Sequence, residues 1–216
     1  MNIETTILII IIANVIISLL GFNNLDFFNK YKFQIGKIQH GKEYIRLISS
    51  GFLHADFMHL ILNMYVLYSF APIVSYALGG LMFAMVYTGS LIAGGLLTLF
   101  FHKKNHYYSA VGASGAVAGI IFSSILLFPE MKVGILFIPV GIPGYVFGLL
   151  YILYSIYGMK SEMGNIGHAA HLGGAIGGYV LTILLYPVVL ENNLSTILLL
   201  GIPIVLLFVL GKMKVT

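Results

Sequence analysis

Seven long apolar stretches constrain the fold of this 216-residue chain more than any other feature. A helix that crosses a bilayer needs about 20 apolar residues, within a range of roughly 17–25. Gly201 and Pro203 interrupt the last stretch, although proline is tolerated in membrane helices. The sequence therefore predicts an all-α, polytopic transmembrane bundle with six spans and a seventh at its C-terminal end. The predicted spans are residues 3–22, 57–78, 81–101, 111–128, 133–158, 168–189 and 194–211.

Composition excludes the soluble function classes. Hydrophobic residues make up 59% of the chain and charged residues only 8%, whereas a soluble domain usually carries about 25% charged residues. The net charge of +4 comes from scattered basic residues, so no nucleic-acid partner is expected. The chain has no cysteine, which excludes thiolate nucleophiles and cysteine-ligated metals. The expected surroundings are the lipid bilayer.

The first connection, residues 23–56, is the long one. It alternates aromatic and basic side chains, a pattern that suits the headgroup zone of a membrane. We expect a linker anchored to lipid. Its basic residues are Lys30, Lys32, Lys37, Lys42 and Arg46.

Polar side chains are rare inside the spans, and this rarity makes them informative. Acidic residues are almost absent there, with Asp56 only at the entrance to the second span. That absence argues against a proton or cation pathway, and the chain has no His-Glu-x-x-His motif of a zinc protease. The remaining polar set is Asn14, His59, Asn63, Ser114, His168 and His171.

The second span carries two hydrogen-bond donors on one face. His59 and Asn63 are four residues apart, so their side chains stack on one side of a helix. Two convergent donors in a low-dielectric site can stabilise an oxyanion. The alternative is a pair of hydrogen bonds that holds two helices together.

The fourth span opens with a serine between glycines. Gly112 and Gly115 leave the hydroxyl and amide of Ser114 unshielded. A serine at a helix start also has free N–H groups and the positive end of the helix dipole beside it. Ser114 is a candidate nucleophile, although such a motif is most often a cap or a packing contact.

The sixth span opens with His171, which shares one stripe with Gly174 and Gly178. That stripe can press against a glycine face of the fourth span at Gly115 and bring the imidazole to Ser114 as a general base. Two alternatives stay open. One is a histidine in a packed interface, and the other is a metal site with imidazole ligands. Its ligands would be His54, His59, His168 and His171.

These motifs lie near the starts of even-numbered spans, which face one leaflet, and together they resemble those of rhomboid intramembrane serine proteases. The matching motifs are His59-x-x-x-Asn63, Gly112-Ala113-Ser114-Gly115 and Ala170-His171-x-x-Gly174-x-x-x-Gly178.

The resemblance implies a Ser–His dyad without a carboxylate, with Ser114 as nucleophile and His171 as base. His59, Asn63 and the Ser114 amide would form the oxyanion hole. No cofactor or metal is expected, and the expected partners are transmembrane protein substrates, cleaved in or beside their membrane helices. The expected supporting residues are Gly112, Gly115, Gly174, His54 and His168; the two histidines would flank a polar mouth that admits water.

The resemblance also implies a protease core over residues 1–190 and an extra span and tail over residues 191–216. We expect a multi-pass protein of a bacterial cytoplasmic membrane. Three positions depart from the family. Ile45 stands where a tryptophan precedes the family's loop arginine, Ala118 stands where many members pack an aromatic ring on the catalytic histidine, and Ser75 stands where some bacterial members have an acidic residue. The alternative function is a catalytically silent rhomboid-like protein that binds membrane helices.

The distribution of basic residues and the family resemblance predict opposite orientations of the chain in the membrane. With seven spans, every basic residue except Lys132 falls on the side opposite the N-terminus. The positive-inside rule then predicts an external N-terminus, whereas the family has a cytoplasmic one. We follow the family, because much of the excess lies in the 23–56 connection, where the rule is less reliable.

Overall fold

The computed structural model of the protein describes residues 3–135, 138–161 and 167–211. Helices dominate these residues, and the predicted helical bundle is confirmed. A 3-10 turn at Ser50–Phe52 adds to them. The helices are α1 (Ile3–Asn23), α2 (Leu25–Tyr31), α3 (Ile35–Gln39), α4 (Arg46–Ser49), α5 (Phe57–Leu78), α6 (Gly80–Phe101), α7 (Ser114–Leu127), α8 (Gly144–Ser161), α9 (His168–Leu185), α10 (Val189–Asn192) and α11 (Leu194–Gly211).

Two small antiparallel strand pairs accompany the helices. β1 (Phe33–Gln34) pairs with β2 (Ser109–Ala110), so the first connection is joined to the segment just before Ser114. β3 (Lys132–Ile135) pairs with β4 (Ile138–Pro143) between α7 and α8.

Four of the described helices are long and apolar enough to cross a membrane, at Thr5–Asn23, Phe57–Leu78, Gly80–Phe101 and His168–Leu185. The protein is therefore an integral membrane protein. The fourth, fifth and seventh predicted spans correspond to shorter apolar helices. These are Ser114–Leu127, Gly144–Met159 and Leu194–Val209.

The prediction of one span over residues 133–158 is wrong at its start. β3 and β4 occupy the first part of that stretch, and α8 begins only at Gly144. Hydropathy does not separate an apolar strand from an apolar helix. Gly141 and Pro143 also interrupt the run, and both residues disfavour a helix interior.

α7 is the central helix of the bundle. Every residue from 115 to 126 is buried, and α5, α6, α8 and α9 pack around it. Its 14 residues extend about 21 Å, less than the roughly 30 Å of a hydrocarbon core. A buried helix need not match the bilayer thickness, and α7 is short enough for Ser114 to lie below the membrane surface.

The two glycine stripes meet, as their spacing predicts. A Cβ added to Gly174 would overlap the backbone of Gly115, and one added to Gly178 would overlap the backbone of Gly119. α9 therefore touches α7 backbone to backbone. In lipid, this kind of van der Waals contact between small residues drives helix association.

The first connection is a folded layer rather than the plain linker that we predicted. Phe33, Ile35 and Ile38 form a small buried cluster there, beside Tyr108. Arg46 is buried and holds the layer together. Its guanidinium donates to the backbone oxygens of Asn29 and Lys32 at 2.9 and 2.7 Å and to the Glu43 carboxylate at 2.7 Å.

α11 is tied to the rest of the bundle by two polar contacts. Asn193, just before it, donates to the carbonyl oxygen of Leu126 at 2.8 Å. The hydroxyl of Tyr179 on α9 donates to the carbonyl oxygen of Ile197 at 2.9 Å. The division into residues 1–190 and 191–216 stays a prediction.

Replacing Gly174 with alanine is expected to separate α7 from α9. The new methyl group has no space beside Gly115, and overpacking of this kind typically costs about 1–3 kcal/mol. Thermal unfolding in detergent measures the loss. Gly134→Ala is the control, since a Cβ there has nothing within 4 Å. Equal melting temperatures for the two variants would contradict the backbone contact.

Candidate active site

Ser114 and His171 form a hydrogen-bonded pair at the packed ends of α7 and α9. The Ser114 Oγ lies 2.7 Å from the His171 Nε2. This separation is within the range that a general base requires of its nucleophile. No acidic side chain binds His171 among the residues that the structure describes.

The backbone before Ser114 leaves its amide free to bind an anion. Ala113 is the N-cap and Ser114 is the first helical residue, so the amide at Ser114 has no partner from an earlier turn. Gly112 takes a φ of +128°, a region that favours glycine. Its N–H donates to the carbonyl oxygen of Ser50 at 3.0 Å, which fixes the turn.

His59 stands over this turn. Asp56 caps α5 by accepting the His59 N–H at 2.8 Å. A Cβ on Gly112 would lie 2.7 Å from the His59 Cε1, so the imidazole rests directly on the glycine. The His59 Nδ1 faces the N–H of Ala55 at 3.4 Å and accepts from it. The ring proton then belongs on Nε2, which is free to donate.

Asn63 is buried one turn further along α5. Its side-chain amide donates one hydrogen to the carbonyl oxygen of His59 at 2.8 Å. The second amide hydrogen is available to a ligand. The structure thus brings His59, Asn63, Ser114 and His171 to the wall of one cavity.

That cavity has a volume of about 880 Å³ and lies between the first connection and the ends of α5, α7 and α9. The β1–β2 pair forms part of its wall. Its lining includes Phe33, Ser50, Asp56, Tyr108, Ser109, Gly112, Gly115 and Gly167.

His54 does not flank a polar mouth, which corrects the expectation from sequence. It is fully buried, and its two ring nitrogens bind α1 and the turn before Ser114. The Ser18 hydroxyl donates to the carbonyl oxygen of Phe52 at 2.9 Å and lies 2.8 Å from the His54 Nδ1. Nδ1 therefore donates to Ser18, and Nε2 accepts the Ala113 N–H at 3.3 Å.

The chemistry of His54 follows from this burial. Burial, together with the neighbouring His59, lowers the pKa of His54 from 6.5 to about 3, against a smaller opposing effect of Asp56. The imidazole stays neutral at physiological pH and keeps one donor and one acceptor. Both are in use, so His54 is a support for the turn and has no nitrogen left for a metal.

His168 is also buried and does not line the cavity, so the second half of the polar-mouth expectation is wrong. Within the described residues neither of its ring nitrogens has a hydrogen-bond partner. Its ring meets Tyr154 of α8 edge-on, with centroids 5.2 Å apart. A Cβ on Gly158 would overlap the imidazole, so the ring fills space that this glycine leaves.

The chain is similar to a known family of proteins. The Rhomboid domain family model matches residues 41–188, well over half of the chain. This chain belongs to the rhomboid family.

Individual rhomboid relatives match the same region. Rhomboid protein 1, mitochondrial, of Saccharomyces cerevisiae is 34% identical over 137 residues, which cover 62% of this chain and 40% of that protein. The rhomboid protein YdcA of Bacillus subtilis is 33% identical over 144 residues, 66% of this chain and 67% of YdcA. Presenilin-associated rhomboid-like protein A, mitochondrial, of Danio rerio is 31% identical over 135 residues, 61% of this chain and 35% of that protein. The match thus spans well under half of the two mitochondrial proteins.

Three residues near the rhomboid site were missed from sequence. Ser18 and Ser50 hold the turn before Ser114, and Tyr151 of α8 lies against the ring of His171. Ser18 lies within an apolar span and is a detectable signal, since buried polar groups need partners. Ser50 acts through its backbone carbonyl oxygen, so its side chain gives no such signal. Tyr151 has no such signal, because it is one of 14 tyrosines.

The rhomboid fold is expected to lose stability in mild acid through His54. The unfolded chain binds a proton at this residue near pH 6.5, whereas the folded chain binds it only near pH 3. Stability is therefore full above pH 6.5 and falls toward pH 3, by up to about 1.4 kcal/mol per pH unit. Thermal unfolding of the wild type and of His54→Gln is measured between pH 7 and 5. The variant should lack the part of the stability loss that His54 contributes. His106→Gln, at an exposed histidine, is the control. Parallel pH profiles for wild type and His54→Gln would disprove the role.

Proposed function

We propose that this rhomboid protein is a serine endopeptidase that cleaves peptide bonds in or beside transmembrane helices of other membrane proteins. The single observation that carries the proposal is the 2.7 Å contact between the Ser114 Oγ and the His171 Nε2, at the wall of a cavity that also holds His59 and Asn63. A hydroxyl, a base and two further donors on one cavity wall are the groups that acyl transfer requires.

The proposed reaction has two steps. The Ser114 Oγ attacks the substrate carbonyl carbon while the His171 Nε2 takes the hydroxyl proton. The tetrahedral oxyanion accepts hydrogen bonds from His59, Asn63 and the Ser114 amide. His171 then gives its proton to the leaving amine, which forms an acyl-enzyme. Water attacks this ester with His171 again as the base; the bond to the Ser114 Oγ then breaks, His171 returns the proton to that oxygen, and the new carboxyl end is released.

The cavity supports water entry at this depth. In the proposed arrangement the short α7 begins below the membrane surface, so bulk water would reach Ser114 through the recess above it. Asp56, Ser50 and Ser109 give the recess polar walls. A substrate helix must unwind locally to present an extended peptide there, since a helical backbone keeps its carbonyl groups hydrogen-bonded.

A fluorophosphonate probe tests the proposal without knowledge of the substrate. The wild type is expected to label, whereas Ser114→Ala and His171→Ala are expected not to label. Ser69→Ala, a serine on the exposed side of α5, is the matched control and should label normally. A folded wild type that does not label would instead support the catalytically silent protein that binds membrane helices.

Asn63→Ala is expected to retain a low residual proteolytic activity. Removal of one oxyanion donor typically costs roughly 10²–10³ in rate, whereas loss of the nucleophile abolishes turnover. Cleavage of a model transmembrane substrate in vesicles measures both effects. Asn14→Ala is the control. It also removes a buried side-chain amide from a membrane span, but this amide donates to the Tyr87 hydroxyl at 3.0 Å and does not line the cavity. Complete loss in Asn63→Ala together with a lowered melting temperature would assign Asn63 a structural role.

We also propose a bacterial cytoplasmic membrane as the location, with the N-terminus in the cytoplasm. The Bacillus relative supports this proposal, whereas the yeast and zebrafish relatives are mitochondrial by name. Tags at each terminus, with protease added outside intact bacterial cells that express the protein, measure the orientation. Protection of the N-terminal tag is the expected result, and its cleavage would overturn the assignment.

A further inference from the structure

The imidazole of His171 is faced by an aromatic ring that the motifs do not predict. The rings of Tyr151 and His171 have centroids 6.4 Å apart and planes inclined by 28°. Aromatic rings attract one another at centroid separations of about 4.5–7 Å, with offset stacking among the preferred arrangements. Tyr151 belongs to α8, whereas the motif residues belong to α5, α7 and α9.

Tyr151 is itself held by two other rings. Phe122 of α7 meets it edge-on, with centroids 5.6 Å apart and an interplanar angle of 61°. Phe147, one turn earlier on α8, lies 6.0 Å away. Phe122 is fully buried. The tyrosine ring therefore has little freedom to leave the imidazole.

A second pair matches the first along the same two helices. Tyr154 lies against His168, as Tyr151 lies against His171. Residues three apart share one face of a helix, and the two tyrosines and the two histidines are each three apart. The two pairs fix the register of α8 on α9, so the position of Tyr151 is set by more than one contact.

On α7, the residue one turn after Ser114 is Ala118, which offers no aromatic ring. Ala118 is buried and carries only a methyl group. Phe122, which contacts Tyr151, lies one further turn along the same face of α7. The Tyr151 ring thus packs on Phe122, which lies on the same stripe of α7 as Ser114 and Ala118.

We propose that Tyr151 is a positioning residue that holds the His171 imidazole with its Nε2 directed at Ser114. The inference rests on the proposed protease function. Where a catalytic histidine has a carboxylate partner, that partner orients its ring, but no acidic side chain reaches His171 within the described residues. Packing must then orient the His171 imidazole, and the face of the Tyr151 ring supplies that packing contact.

The first experiment measures the rate of labelling by a fluorophosphonate probe, separated into the maximal rate kinact and the half-saturation constant KI. Tyr151→Leu is expected to lower kinact roughly three- to ten-fold with little change in KI, because the stack acts on the base and not on probe binding. Tyr151→Phe keeps a ring and should label like the wild type. Tyr145→Leu, on the same helix six residues earlier, is the control for a tyrosine loss in α8.

The second experiment does not depend on activity. Protein with ¹³C,¹⁵N-labelled histidine is studied by NMR in detergent micelles, and the His171 ring resonances are identified by their loss in His171→Gln. Tyr151→Leu should remove the ring-current shift of these resonances, and Tyr151→Phe should preserve it.

The two readouts separate the inference from the function. A wild type that does not label would reject the proposed protease, while the NMR shift would still decide whether Tyr151 faces His171. A wild type that labels, with kinact unchanged in Tyr151→Leu, would overturn the positioning role. Unchanged His171 resonances in Tyr151→Leu would overturn it too.

Discussion

The backbone contact between α7 and α9 is the constraint on which the rest of this structure depends. Gly174 and Gly178 lie where any Cβ would overlap the backbone of Gly115 and Gly119. In lipid no hydrophobic force draws two apolar helices together, so close packing of small residues must do it. A backbone contact also has a fixed separation. It brings Ser114 and His171 within 2.7 Å because both lie at the start of the helices that touch.

The turn before Ser114 is held by hydrogen bonds from residues outside α7 and α9. His54 links Ser18 on α1 to the amide of Ala113, and Ser50 accepts the amide of Gly112. These bonds orient the turn before Ser114 in advance of any ligand. A preorganised set of donors stabilises developing charge without reorganisation at the moment of reaction. The first connection, bound through β1 to β2, is therefore part of the scaffold of the site.

Much of the candidate site could be predicted because its signals are local or periodic. The four-residue spacing of His59 and Asn63 places both on one face of α5, and glycines along α7 and α9 mark the helices that touch. Span parity places the starts of α5, α7 and α9 at one side. Hydropathy was less informative at the fifth predicted span, because the apolar residues of β3 and β4 have the same hydropathy as a membrane helix. The burial of His54 and His168 was not predictable, because a histidine near the end of a span can either face water or pack inside the bundle.

The sequence by itself determined the membrane class, the helical bundle, the family motifs and the order of the groups along the chain. Beyond the glycine stripes of α7 and α9, only the tertiary structure decided which helix faces meet. In a soluble helix the apolar stripe marks the core, but in lipid the outer and inner faces are both apolar, and exposed Leu62 and buried Leu67 share α5. The hydropathy pattern therefore does not predict how each helix is rotated about its own axis. The stack of Tyr151 on His171 and the bond of Ser18 to His54 depend on that rotation, so they emerge only when the bundle is packed.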